Sequence, residues 1–290
     1  MLNLRESHEK FLEYLKGKDR ANATIIAYAK DIEQLIEHVE AAGKASPTSI
    51  EKEDLTDFIQ KLETGKYTPK SISRKINAIR TYFKFLKEEG LVDDDPSTTL
   101  THPKIEITPP RILSKMEYRA LRDACRQGVR ISAVVELLLQ TGIRIGELRR
   151  LNLSDVEFGE NDKPGQIRIG PWGKNPERFV PLNKSAQEAL KEYLDVRPKS
   201  KEETVFITKT GRPFLIRNIR TTINRYFKIA GIENAKVNDL RHTFVATHLS
   251  RGVSLTTVSR LAGHRRLTTT EKYLQYINRP AEESVSLAEL

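Results

Sequence analysis

The stretch "DDDPSTTLTHPKIEITPPRILS", residues 93–114, limits what this chain can fold into more than any other. Each of its four prolines removes a backbone donor and biases the residue before it away from helix. It has no sustained apolar period, so it reads as an extended connection. On its N-terminal side the chain reads only as helices. Segments 4–16, 23–42, 50–64 and 68–89 hold apolar residues at helical spacing, broken at "GKDRAN", "GKASPTS" and "GKYTPK". Thr68 before Pro69 is a cap followed by a proline at the first helical position. Four helices with short connections predict a small bundle.

The C-terminal side is mixed. Ser114 caps a helix over about 115–126, and "RISAVVELLLQTG" is apolar enough to be a buried one. "GQIRIG" and "RFVPL" read as strands joined by the turn "PWGKNPE", and "TVFI" with "GRPF" predicts another short hairpin. Four or five helices then run to the end. The expected architecture is mainly α with a small antiparallel β-sheet: a helical domain over 1–95, a linker over 96–112 and a second domain over 113–290. The single cysteine, Cys125, excludes an internal disulfide and fits a core thiol in a reducing cytoplasm. No apolar run reaches the ~20 residues that cross a bilayer, and the N-terminus has no signal-peptide pattern.

Lysine and arginine outnumber the acids 49 to 39, a net charge of +10, which favours a polyanionic partner if the charges cluster. They do. Between Lys66 and Lys87 there are seven basic residues and no acid. Ile72, Ile76, Ile79, Phe83 and Leu86 share one helix face, with Lys70, Arg74, Arg80, Lys84 and Lys87 opposite. A solvated helix usually mixes its signs for i,i+4 pairing, so this face is expected to meet nucleic acid. "RPFLIRNIRTTINRYFK" repeats the pattern through Arg212, Arg217, Arg220, Arg225 and Lys228.

Three segments carry groups suited to an anion. In "LLLQTGIRIGELRRLNLSDV", Gly142 ends the apolar helix and Arg144 follows the break, placed either to hold a phosphate or to pair with Glu147 or Asp155. In "NDLRHTFVATHLSRG", Asn238 is expected to cap a helix carrying Arg241, with His242 and His248 as packing or surface residues. In "LAGHRRLTTTEKYLQY", Gly263 ends a helix, His264 follows, and Tyr273 comes nine positions on. The histidines lack the spacing of a metal site, and no metal or cofactor is expected.

Taken together these segments resemble the tyrosine recombinase (phage integrase) family, its Xer-like members especially, along nearly the whole chain. "TGIRIGELRRLNLSDV" is similar to the family's first arginine box, which implies Arg144 as a catalytic residue. The turn in "GPWGKNPERFVPL" resembles the hairpin that carries the catalytic lysine, here Lys174. "NDLRHTFVATHL" resembles the second arginine box with Arg241, and "LAGHRRLTTTEKY" the histidine and nucleophile box with His264 and Tyr273. The resemblance implies a four-helix, SAM-like core-binding domain ahead of a catalytic domain.

One departure stands out. The family's second box usually begins with histidine, and here that position is Asn238, which can donate to a phosphate oxygen but cannot carry a mobile proton.

The implied reaction is site-specific DNA recombination through a 3′-phosphotyrosyl intermediate. The alternatives are a catalytically weakened DNA-binding relative and a type IB topoisomerase-like enzyme. Tyr276, one turn beyond Tyr273, is the rival nucleophile. The expected partners are double-stranded DNA and further copies of the chain. The resemblance implies that these form a homo-tetramer on DNA through exchange of the tail "PAEESVSLAEL", from a monomer or weak dimer when free.

Overall fold

The computed structural model describes residues 2–18, 20–106, 108–159, 164–173 and 175–277. Its contacts divide the chain into two compact units, Met1–Ile107 and Thr108–Leu290.

The first unit holds α1 (Leu4–Gly17), α2 (Asn22–Ala41), α3 (Lys52–Thr64) and α4 (Pro69–Glu88). Local chemistry fixes the starts. The Asn3 side chain accepts from Glu6 N at 2.8 Å while Glu6 accepts from Asn3 N, and Thr68 Oγ1 accepts from Ser71 N with Pro69 at the first position. The apolar face of α4 is buried at Ile72, Ile76, Ile79, Phe83 and Leu86, against Phe11, Leu35, Ile36 and Leu55 of the other helices. Each such side chain stabilises the fold by roughly 1.5–3 kcal/mol. The segment after α4 does not run free at once. Leu100 is buried in this core, and the Arg80 guanidinium donates to the Leu100 carbonyl at 2.5 Å. Residues 96–100, expected as linker, therefore pack on the first unit, because Leu100 and Ser97 have a core to enter.

The second unit is built around α6 (Val129–Thr141), which follows α5 (Lys115–Cys125) and precedes α7 (Ile145–Arg150). Ser114 caps α5 reciprocally with Glu117. Helix α6 is buried nearly all round, from Ile131 to Leu139, as its unbroken apolar run dictates. A three-stranded antiparallel sheet follows, ordered β1 (Val156–Glu157), β2 (Gly165–Ile169), β3 (Arg178–Leu182). Ile167 and Ile169 of β2, and Val180 and Leu182 of β3, face the core. By the same alternation Arg178 also points inward, where an apolar residue is the norm. The expected hairpin of "TVFI" and "GRPF" reduces to a bridge between Ile207 and Pro213.

Helices α8 (Lys184–Asp195), α9 (Ile216–Ile229), α10 (Val237–Ser250), α11 (Leu255–Ala262) and α12 (Thr268–Glu271) complete the unit, α12 running into a 3₁₀ turn at Lys272–Tyr276. Phe244, Val245, Leu249, Val258, Ala262 and Tyr273 form a separate apolar cluster that fastens this last turn to α10. Cys125 is fully buried, and burial pushes its thiol up to about 12, so it behaves as a small apolar side chain.

Candidate active site

Two glycines bring the distant boxes together. Gly142 ends α6 in the left-handed conformation (φ 63°), and its carbonyl accepts from Arg241 Nη1 at 2.6 Å. Gly263 ends α11 in the same conformation (φ 69°), and its carbonyl accepts from Arg144 Nη2 at 2.6 Å. A Cβ at Gly142 would lie 2.2 Å from the Phe244 ring, and one at Gly263 would lie 2.7 Å from the Arg178 guanidinium. Each arginine is therefore held by the carbonyl of a glycine from a different segment.

Arg144 stands at the N-cap of α7, where Glu147, three residues on, accepts from its backbone N at 2.7 Å and from its Nη1 at 2.9 Å. Asp155 pairs instead with Arg168 at 2.7 Å. Glu147 also receives both terminal nitrogens of the inward-pointing Arg178, at 3.1 and 2.8 Å, and both residues are buried. Burial pushes the Glu147 carboxyl up. The Arg178 bonds, the Arg144 backbone N–H and the two guanidinium charges outweigh that and hold it below the usual carboxylate range. Nothing in the sequence marked Arg178, whose partner is 31 residues away.

Arg241 differs. It is 6% exposed, and among the described residues no carboxylate pairs with it. Burial, then the charge of Arg144, draws its pKa down to about 10. It lines a cavity of about 310 Å³ with Asn238, Lys236, Asn224 and Arg220. A buried guanidinium with no counter-ion is costly unless an anion arrives.

Asn238 does not cap α10, as the sequence suggested. Helix α10 starts one residue before Asn238, with Lys236 at the N-cap position, where Asp239 accepts the Lys236 backbone N–H at 2.7 Å. The Asn238 amide instead donates to His242 Nε2 at 2.9 Å, one turn on. His242 Nδ1 in turn lies 2.5 Å from Tyr273 Oη. His242, expected as packing or surface, is part-buried against the Tyr273 ring, and the i,i+4 spacing from Asn238 was the signal for its further contact. Tyr273 is 6% exposed, its ring stacked over His264 at 6.3 Å between centroids. Burial raises its phenol pKa and the Arg241 charge opposes that rise.

His264 Nδ1 meets Thr270 Oγ1 at 2.7 Å. Burial, then Arg241 and Arg144, drive its pKa down from 6.5 to about 4. As pH falls from 6.5 toward 4 the unfolded chain therefore takes up this proton before the folded one. The stabilisation is full at neutral pH and is lost across that window. We expect the urea midpoint to drop by the equivalent of roughly 1–3 kcal/mol between pH 7 and 4.5, and His264→Gln to flatten the drop. An unchanged slope in the variant contradicts this.

The expected DNA contacts divide. Lys70, Lys84, Arg217 and Arg220 are exposed, with Lys84 3.8 Å from Glu88. Arg74 is bound to Asp31 of α2, and Arg80 to the Leu100 carbonyl and His102. The acid-free face of α4 is thus partly neutralised from another helix, which its own sequence could not disclose. Lys174 and the tail from 278 lie outside the described residues. Among the described residues no cluster of His, Cys, Asp and Glu suits a metal ion, and no helix is long and apolar enough to cross a membrane.

Residues 111–278 match the phage integrase family, and residues 9–90 match the phage integrase N-terminal SAM-like domain. Tyrosine recombinase XerC of Roseiflexus castenholzii is 29% identical over 93% of this chain and 88% of its own length. The same-named protein of Thermodesulfovibrio yellowstonii is 30% identical over 94% and 92%. A lambda integrase tetramer bound to a Holliday junction shares the fold with a TM-score of 0.74 at 16% identity, over 92% of this chain and 79% of that one. The chain belongs to the phage integrase family, as an Xer-like tyrosine recombinase, an enzyme that cleaves and rejoins DNA at specific sites.

Proposed function

We propose that the scissile phosphate binds in the cavity beside Arg241 and Asn238, with Tyr273 as the nucleophile. The supporting observation is the buried Arg241 guanidinium that has no carboxylate partner among the described residues. Arg144 and Arg241 clamp the non-bridging oxygens as negative charge builds on them, and His264 and Asn238 add donors. Tyr273 Oη passes its proton to solvent and attacks phosphorus, the bond to the 5′-oxygen breaks, and Lys174 supplies the proton that oxygen needs as it leaves. The 3′-phosphotyrosyl bond conserves the energy of the broken ester. A 5′-hydroxyl therefore rejoins the strand by the reverse attack, with no nucleotide triphosphate.

The exposed Lys70, Lys84, Arg217 and Arg220, with Arg74 and Arg80 at their current partners or released from them, neutralise duplex phosphates. Four copies act together on DNA, the state in which the lambda integrase of the same fold is bound to a Holliday junction. Tail exchange links copies that are monomers or weak dimers when free, and the reaction takes place in the cytoplasm, where the DNA is.

A nicked suicide duplex, whose cleaved fragment diffuses away, traps the covalent step. We expect the adduct's phosphotyrosine to map to Tyr273, and Arg241→Lys to form adduct roughly 10²–10³-fold more slowly with duplex binding little changed. Tight binding with no adduct from the wild-type chain would sink the proposal in favour of a DNA-binding relative.

A further inference from the structure

The hydrogen-bond chain Asn238–His242–Tyr273 has a direction. An asparagine amide nitrogen only donates, so the Asn238 Nδ2 that faces His242 Nε2 at 2.9 Å makes that ring nitrogen an acceptor. A neutral imidazole then carries its hydrogen on Nδ1, the atom 2.5 Å from Tyr273 Oη. We propose that His242 is a further catalytic residue, an N–H donor to the attacking phenol oxygen, and that Asn238 is its positioning residue, fixing the imidazole tautomer. The inference rests on Tyr273 being the nucleophile.

The physical effect follows from charge. A hydrogen bond to the phenol oxygen strengthens when that oxygen becomes a phenolate, because the acceptor is then ionised. The bond therefore favours loss of the phenol proton at the point where burial opposes it. The groups facing the imidazole agree with a neutral ring. Burial and Arg241 disfavour its charged form, and only Asp239 favours it, from the same helix; Tyr273 faces it from the last turn, and its charged form would also oppose that of His264. The second hydrogen on Asn238 Nδ2 stays available to the cavity that Asn238 and Arg241 line. One amide can thus serve the phosphate and the nucleophile's partner together, which gives asparagine a use at a position where a mobile proton is not required.

The test compares His242→Leu with His242→Asn on the suicide duplex. Asparagine puts an amide N–H at the position of Nδ1 but accepts no proton near neutral pH, whereas leucine offers nothing. His242→Leu is expected to form adduct roughly 10–100-fold more slowly at neutral pH, with the same duplex affinity. The pH above which its rate levels off should move up by about one unit. His242→Asn should lose only about 3-fold and keep the wild-type pH profile. Should the leucine variant unfold, His242→Gln replaces it, since its amide reaches past the Nδ1 position. Equal losses in the asparagine and leucine variants would mean that His242 takes the phenol proton, and would overturn the proposal. No loss in either overturns it as well. Adduct from Tyr273→Phe would instead remove the underlying nucleophile assignment, an outcome read separately from the other two.

Discussion

Tyr273→Phe is expected to form no covalent adduct with a suicide duplex, while Tyr276→Phe keeps adduct formation within about 3-fold of wild type. The packing makes this a clean comparison. The Tyr273 ring belongs to the cluster of Phe244, Val245, Leu249, Val258 and Ala262, and phenylalanine fills the same volume. What is lost is the hydroxyl and its bond to His242 Nδ1. That leaves one half-buried ring nitrogen without a partner, about 1–3 kcal/mol of stability at most. Thermal melting and duplex affinity should therefore stay near wild type while the adduct disappears. Tyr276 occupies the same 3₁₀ turn, in which residues three apart fall on nearly one side, yet it is only half-buried where Tyr273 is buried. Adduct from Tyr273→Phe that is lost in Tyr276→Phe would reverse the assignment.

Local chemistry made much of this molecule legible. Period-3.6 patterning, the Thr68 and Ser114 caps and the Gly142 and Gly263 stops depend on residues within one or two turns of each other, and the chain writes such relations side by side. Charge pairing across the fold is not written that way. Helix α4 looks acid-free, but Asp31, more than forty residues away, takes both Arg74 and the buried Lys75. Lys75 was counted with the basic residues and is 2% exposed, also bonded to Gln34. Asn238 was misread for a related reason. Its residue type favours a cap, and only the fold shows that the helix already starts before it, with Lys236 at the N-cap and Asp239 accepting the Lys236 N–H. The arginines, His264 and Tyr273 stood out through their segments. Glu147 was legible as a partner of Arg144 three residues away, whereas the Arg178 pair with Glu147 and the His242 contact with Tyr273 emerge only when the segments meet.

Glu147 is where stability and chemistry can be separated. Its carboxylate is the only one that pairs with Arg144 and Arg178 among the described residues, and the pair with Arg178 is buried on both sides. Glu147→Gln keeps the shape but leaves two guanidinium groups facing an amide, with the unpaired Arg241 nearby. Breaking one side of a buried ion pair typically destabilises by about 3–5 kcal/mol. For a unit of this size the melting temperature should fall by roughly 6–20 °C. The pH dependence has a definite sign. The Glu147 carboxyl is held below its ordinary value in the folded state, so its contribution is complete above that ordinary value and is lost as pH falls through the folded one. The gap between wild type and variant should therefore narrow in acid. Because an apolar pair can replace a buried ion pair with little loss, Glu147→Leu combined with Arg178→Met should recover most of the melting temperature. Cleavage should not recover with it, since Arg144 has lost the carboxylate that orients its guanidinium. A double variant that regained both would show that the Gly263 carbonyl alone suffices to hold Arg144 in place.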